Sequence, residues 1–428
     1  MKKTYLPKLF LIINADIIDP AKSKRYNGSI LIKNGKIEKI GKIISVPDAK
    51  VFDAKGKIVT HGFCDLHVHF REPGREDKET ISSGAKAAII GGFTEVCTMP
   101  NTNPPIDSPE SIRFILDKAK NLPLRIHPIG AISIGQKGQE LTELGTMVNE
   151  GAVAFSDDGM PVMNSGLMRR VLEYSVPLSI PIINHAEDLD LKVNGQMHEG
   201  FWSTFLGMTG IPDISESIMV NRDIELTDFT NGRLHIPHVS SSKSIEYIKK
   251  AKKNGLNVTS EVTPHHLFFN DEELKTYNTN FKVAPPIRNE ENRKKLIRAL
   301  KSGIIDCIAT DHAPHTIEEK EAPFDWAPCG MIGLESAFGA VWKVLSEAKM
   351  DLLEVITSLT TKPRLAMGFK DDLFYKGSDA QIVIIDSNEE WEFNLSSIYS
   401  KSRNSPFIGK KLKGKIKTTI SGGYLFEI

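Results

Sequence analysis

The stretch Asp65-Leu66-His67-Val68-His69-Phe70-Arg71-Glu72-Pro73-Gly74 leaves a short apolar run, alternates for a few residues and breaks at Pro-Gly. Residues two apart on a strand point to the same side, so His67 and His69 aim two imidazoles at one point, as a metal requires. Alone the pair is a weak signal, because packed or solvated histidines account for most such pairs. Its weight depends on what surrounds it.

Outward from this stretch, between about Lys57 and Met367, short apolar β-branched runs alternate with longer segments of helical pattern. That rhythm argues for parallel strands with helical crossovers. Eight runs end near Leu66, Cys97, Pro128, Phe155, Asn184, Ile236, Ser260 and Ile308. Eight βα repeats in about 300 residues predict a (β/α)8 TIM barrel with insertions. An open doubly wound sheet is the alternative, but the number of repeats and the lack of a GxGxxG motif favour the barrel.

The ends of the chain read differently. Ser29-Ile30-Leu31-Ile32-Lys33 and Lys36-Ile37-Glu38-Lys39-Ile40 flank Asn34-Gly35, a strong hairpin signal. Near the other terminus, Gln381 to Ile385 is an apolar run, Lys415 to Ile420 alternates, and Gly422-Gly423 supplies a turn before Tyr424-Leu425-Phe426. The expected architecture is therefore α/β: a TIM barrel over residues 57–367 and a small β-sandwich domain built from both termini, 1–56 and 368–428.

Bulk properties exclude several function classes. Lys+Arg and Asp+Glu both number 54 among 428 residues, so no global field favours nucleic acid or an anionic membrane. Cys64, Cys97, Cys307 and Cys329 are scattered, which argues against a disulfide framework or a thiolate zinc site. The apolar stretch Leu9 to Ile13 soon gives way to Asn14, Asp16, Asp19 and Pro20, too short for a signal segment or a membrane span. The expected location is the cytoplasm.

In TIM barrels the chemistry sits at the C-terminal ends of the strands. Five of the eight ends here carry nitrogen or oxygen donors: His67 and His69, Asp157-Asp158, His185 with Glu187, His235 with His238, and Asp311 with His312 and His315. Imidazole and carboxylate suit Zn²⁺. Each group singly reads as a cap, a turn residue or a satisfied histidine, and Asp311 alone reads as a helix cap. Their joint placement on one barrel points to a metal centre. His61, His127, His198, His235, His265 and His266 read as structural, and the charged segment His315 to Cys329, with Pro323 and Pro328, reads as a mobile loop over the site.

The motifs HxHxR before Pro-Gly, Ser156-Asp157-Asp158-Gly159, Asn184-His185-Ala186-Glu187-Asp188, His238-Val239-Ser240, and Ala309 to His315 ahead of Gly333-Leu334-Glu335-Ser336 together resemble the amidohydrolase superfamily. Within it they resemble the bacterial type I dihydroorotases. The likeness extends to Met197-His198-Glu199-Gly200, Pro264-His265-His266-Leu267, Lys320 with Ala327-Pro328, and Ser405-Pro406-Phe407. It implies His67, His69 and Asp311 on one metal, His185 and His238 on a second, and Asp158 between them, with one or two Zn²⁺ per chain. Many relatives in the superfamily, including hydantoinases, allantoinases and another dihydroorotase class, bridge their metals with a carboxylated lysine at this strand; residues 153–158 contain no lysine.

The implied reaction is the reversible cyclisation of N-carbamoyl-L-aspartate to L-dihydroorotate in pyrimidine biosynthesis. A water on the metal has its pKa lowered, the metal polarises the carbonyl, and Asp311 carries the proton. Arg71, Asn101 and His315 are implied to clamp the substrate carboxylate, with backbone near Cys329-Gly330 meeting the ring amide. The resemblance leaves room for a homodimer and for association with aspartate transcarbamoylase. The chain departs from it at Ala284, where many members carry asparagine before Pro-Pro. Two rival readings are an amidohydrolase acting on a neutral ureide ring and a barrel kept only as a scaffold. Arg71 and the missing lysine oppose the first, and the complete ligand set opposes the second.

Overall fold

The computed structural model describes residues 1–42 and 45–428. Six strands come first: β1 (Lys2–Tyr5), β2 (Leu9–Asp19), β3 (Lys24–Lys33), β4 (Lys36–Gly41), β5 (Lys50–Asp53) and β6 (Ile58–His61). Three more close the chain: β17 (Ile382–Glu392), β18 (Lys411–Ser421) and β19 (Tyr424–Glu427). They pair in the order β1-β19-β18-β17-β6-β2-β3-β4, with β5 beside β2, so both termini build one β unit. Alternate residues of these strands, among them Phe10, Ile12, Ile17, Ile30, Ile32, Val59, Ile382, Ile384 and Ile420, meet in its core. The turn at Asn34-Gly35 follows the hairpin signal, with Asn34 at φ 50° and Gly35 at φ 76°.

The strand β6 lies on the barrel side of the boundary expected at 56/57, yet it hydrogen-bonds into this terminal sheet, antiparallel to β17 from Ile382–His61 to Ile385–Ile58. A four-residue apolar run carries no sign of which sheet takes it; here residues some three hundred positions away decide.

The intervening chain supplies β7 (Phe63–Val68), β8 (Phe93–Thr98), β9 (Arg125–Pro128), β10 (Phe155–Ser156), β11 (Ile182–Ile183), then a small pair β12 (Met197–His198) and β13 (Gly210–Ile211), followed by β14 (Leu234–Ile236), β15 (Val258–Val262) and β16 (Cys307–Ile308). The parallel sets β7-β8-β9 and β10-β11-β14-β15-β16 are joined by backbone bridges Gly130–Phe155 and Val68–His312. Together they form an eight-stranded TIM barrel. Cys64, Leu66, Cys97, Met99, Ile129, Ala154, Ile183, Cys307 and Ala309 pack together as its lining. Three of the four cysteines are thus small buried apolar groups, and all four are free thiols. Among the described residues no helix is long and apolar enough to cross a membrane.

Candidate active site

On β7 the side chains of Val68 and of Phe70 just beyond it pack outward against the helix layer, which leaves His67 and His69 on the other side. This is the period-two expectation realised. The other donors arrive on loops that leave the same ends of β10, β11, β14 and β16. The resulting cavity measures about 290 Å³ and includes His69, Asp158, His185, His238 and Asp311 in its wall.

Asp158 sits at the centre of the cluster. Its Oδ2 lies 3.3 Å from His67 Nε2 and 3.5 Å from His69 Nε2. Its Oδ1 lies 3.6 Å from His185 Nδ1 and 3.5 Å from His238 Nε2. One carboxylate oxygen therefore faces each histidine pair. Asp311 Oδ1 completes the first side, 3.1 Å from His69 Nε2 and 3.6 Å from His67 Nε2. Among the described residues, two donor sets with all candidate ligating atoms within 4.8 Å of one another share His67: His67, Asp158 and His238, and His67, His69 and Asp311. Asp157 takes no part, because its carboxylate accepts hydrogen bonds from the backbone N–H and hydroxyl of Ser133.

These donors fit a cation. Among the described residues, His67 Nε2 and Asp158 Oδ1 are buried and have no hydrogen-bond partner. An orphaned imidazole nitrogen and carboxylate oxygen at such a depth are costly unless something charged joins them. The titration behaviour agrees. Burial disfavours a charged His67, yet Asp158 and Asp311 outweigh it and hold its pKa well above the ordinary value. His185 is likewise brought up to about 9, against burial, by Asp158 and Glu187. The cluster attracts positive charge, which a divalent ion supplies without protons.

Behind His67 lies a carboxylate that the motif reading missed. Glu261, on β15, is buried, and its Oε1 accepts from His67 Nδ1 at 2.9 Å while its Oε2 lies 3.1 Å from His235 Nε2. It fixes the ring of His67 with Nε2 facing the cluster. His235 is structural, as expected, but by way of Glu261. Asp65 does the same for the backbone: it accepts from the N–H and hydroxyl of Thr310, at 3.0 and 2.6 Å, and so ties the Asp311 segment to β7. Arg71, His238 and Asp311 all have positive φ, at 60°, 33° and 49°. Non-glycine residues rarely sit there, and such conformations gather where the surrounding structure holds a functional side chain in place.

Arg71 is half-buried in the cavity wall, with Nε donating to the Pro314 carbonyl at 3.2 Å. Burial lowers its pKa to about 10, so it stays cationic near neutrality. His315 Nε2 lies 2.9 Å from the Cys329 carbonyl, and its Nδ1 lies between Glu319 Oε2 at 3.0 Å and Lys78 Nζ at 3.2 Å. Burial, then Arg71 and Lys78, push it down to about 3, so its ring is neutral under ordinary conditions. Asn101 lines the cavity while its Oδ1 accepts from His69 Nδ1 at 2.7 Å, a second duty the sequence does not reveal. Gly330 lines it too, at φ 134°, and a Cβ there would stand 2.8 Å from the Ala313 Cβ and 3.0 Å from His315 Nε2. Its N–H donates to the Lys282 carbonyl at 2.9 Å and its carbonyl accepts from Asn404 Nδ2 at 3.2 Å, so both backbone polar groups expected to meet the ring amide are held by the protein.

The segment expected to move is anchored at several points. Lys320 Nζ donates to the carbonyls of Thr279 and Pro328, and Lys282 Nζ to those of Phe324 and Asp325. Phe324 and Ala327 are buried beneath it.

Comparison with known proteins finds relatives along nearly the whole chain. A chain from Pelotomaculum thermopropionicum named dihydroorotase is 45% identical over 414 residues, covering 96% of this chain and 97% of that one. Another of that name, from Caldicellulosiruptor saccharolyticus, is 44% identical over 423 residues and covers 98% of each. The chain belongs to the dihydroorotase family. The pattern defining the Dihydro-orotase-like family matches residues 56–244, from just before β6 to beyond His238. A dihydroorotase from Aquifex aeolicus is 43% identical over 96% of this chain. Among solved structures, L-hydantoinase (dihydropyrimidinase) from Arthrobacter aurescens superimposes with a TM-score of 0.85 at 23% identity, covering 98% of this chain and 95% of that one. Dihydropyrimidinase from Brevibacillus agri gives 0.84 at 22% identity. These two share the fold of this dihydroorotase-family chain, a metal-dependent amidohydrolase barrel with its β-sandwich.

Proposed function

We propose that this chain interconverts N-carbamoyl-L-aspartate and L-dihydroorotate, with Zn²⁺ held by His67, His69 and Asp311 and by His185 and His238, and Asp158 between the two sets. The observation that carries this reading is the split of the Asp158 oxygens between two histidine pairs, with Arg71 in the wall of the same cavity. When bound, the metal lowers the pKa of water and polarises the carbonyl under attack.

The protein's own groups supply the rest. Arg71 presents a planar cation to the substrate carboxylate, and the neutral His315 ring lies 3.4 Å from its guanidinium. Asn101 is positioned by His69 to add an amide N–H. Burial works against ionisation of Asp311, but His67 and His69 outweigh it and hold the carboxyl below its usual range. In ring opening, water oxygen bonds to the carbonyl carbon, the carboxylate of Asp311 takes the proton released, and the C–N bond breaks as that proton passes to the departing nitrogen. In ring closure the ureido nitrogen attacks the side-chain carboxyl, and Asp311 returns the proton to the oxygen that leaves as water.

A neutral ureide ring would have no use for Arg71 in the wall, and an inert scaffold would have no reason to hold six ligand residues in register. The test is removal and return of metal. Chelated protein is expected to lose dihydroorotate turnover and to regain it with Zn²⁺; zinc-loaded protein without that activity would overturn the reading.

A further inference from the structure

The cavity has two unlike walls. Arg71 and His315 come from the loops after the first and last barrel strands, β7 and β16. Lys192 comes from the loop after the fifth, β11, at the end of the short helix Leu189–Lys192. In an eight-stranded ring the fifth strand lies across from the first, so Lys192 faces the carboxylate clamp. It lines the same cavity, with Ala284 and Cys329 nearby in the wall. Its side chain is a quarter exposed, and Nζ lies 2.5 Å from Glu187 Oε2. An ammonium has three donors, and Glu187 takes one.

Resting on the function proposed above, the substrate's own chemistry shows what is missing. The ring bears a carboxylate for Arg71, an amide carbonyl for the metal cluster, and a urea carbonyl. The urea oxygen is a strong acceptor that loses water on entering the cavity and needs a donor there. Ala284 offers no side-chain donor. We propose that Lys192 donates a hydrogen bond to the urea carbonyl oxygen and selects for substrates that carry one. Glu187 steers the ammonium, and the remaining N–H groups face the ligand.

Lys192→Met tests this through the split between KM and kcat, with bound metal counted in each preparation. A charge-assisted hydrogen bond made equally in the bound substrate and the transition state raises KM by about tenfold to about a hundredfold when lost, and spares kcat. A 2-thio analogue of dihydroorotate removes the acceptor from the other side, so wild type is expected to discriminate against it more strongly than Lys192→Met does. An unchanged KM, or equal discrimination by both proteins, would overturn the assignment. A KM rise that accompanies metal loss would also overturn it, because Lys192 would then act through Glu187 on His185. Wild-type protein inert toward dihydroorotate would sink the proposed function and this assignment together, whereas active wild type with an indifferent Lys192 sinks this assignment alone.

Discussion

On the proposed function Asp311 meets two demands at once: it faces the His/Asp cluster, and it exchanges a proton with substrate. Asn has nearly the same shape and tolerates the φ of 49° found there, so Asp311→Asn removes the exchangeable proton without disturbing the loop. We expect turnover to fall by at least about a hundredfold with an unchanged circular dichroism spectrum; near-normal activity would remove Asp311 from proton transfer. Arg71→Met is expected mainly to raise KM for the carboxylate substrate, and an unchanged KM would exclude it from the clamp. At this scale the clustering of His67, His69, Asp158, His238 and Asp311 was legible because residue type and strand position coincide: His67 and His69 flank an apolar Val68. The second duties of Asn101 and of the Gly330 N–H were not, because they depend on partners distant in sequence.

The barrel strands show the same division. All eight were readable as short runs, and those buried throughout, such as β11 and β16, leave an apolar signature. The destination of β6 was not, because its neighbour is chosen by pairing rather than composition. Glu261 on β15 was equally hidden: a carboxylate in a strand declares itself only when His67 and His235 are seen on its two oxygens. Glu261→Gln keeps the shape and discards the charge that orients the His67 ring. We expect metal affinity to weaken by about tenfold to about a hundredfold, read by competition with a chelator; undiminished affinity would leave Glu261 a purely structural group.

At the scale of the whole molecule the barrel floor is tied together by Arg364, which is fully buried. Its Nε donates to Glu95 on β8 at 2.8 Å and its other nitrogens to the Thr360 and Gly62 carbonyls, next to the join with the β-sandwich. Burial raises the Glu95 pKa, but His127 and Arg364 outweigh it and bring it from 4.5 to about 2. The ionised carboxylate therefore contributes stability that is complete above about pH 4.5 and is lost as pH falls through about 2. Glu95→Gln is expected to cost about 3 kcal/mol at neutral pH in denaturant unfolding, with the gap closing in acid; a gap that does not change with pH would contradict the pairing. What the two domains jointly hold in place is a cavity that reads a carboxylated cyclic ureide. The most direct measurement is turnover of L-dihydroorotate, hydantoin and allantoin by one zinc-loaded preparation whose metal content is known. Ring opening of dihydroorotate and its reversal, with the neutral rings untouched, is the predicted result; hydrolysis of hydantoin or allantoin with dihydroorotate left intact would contradict it.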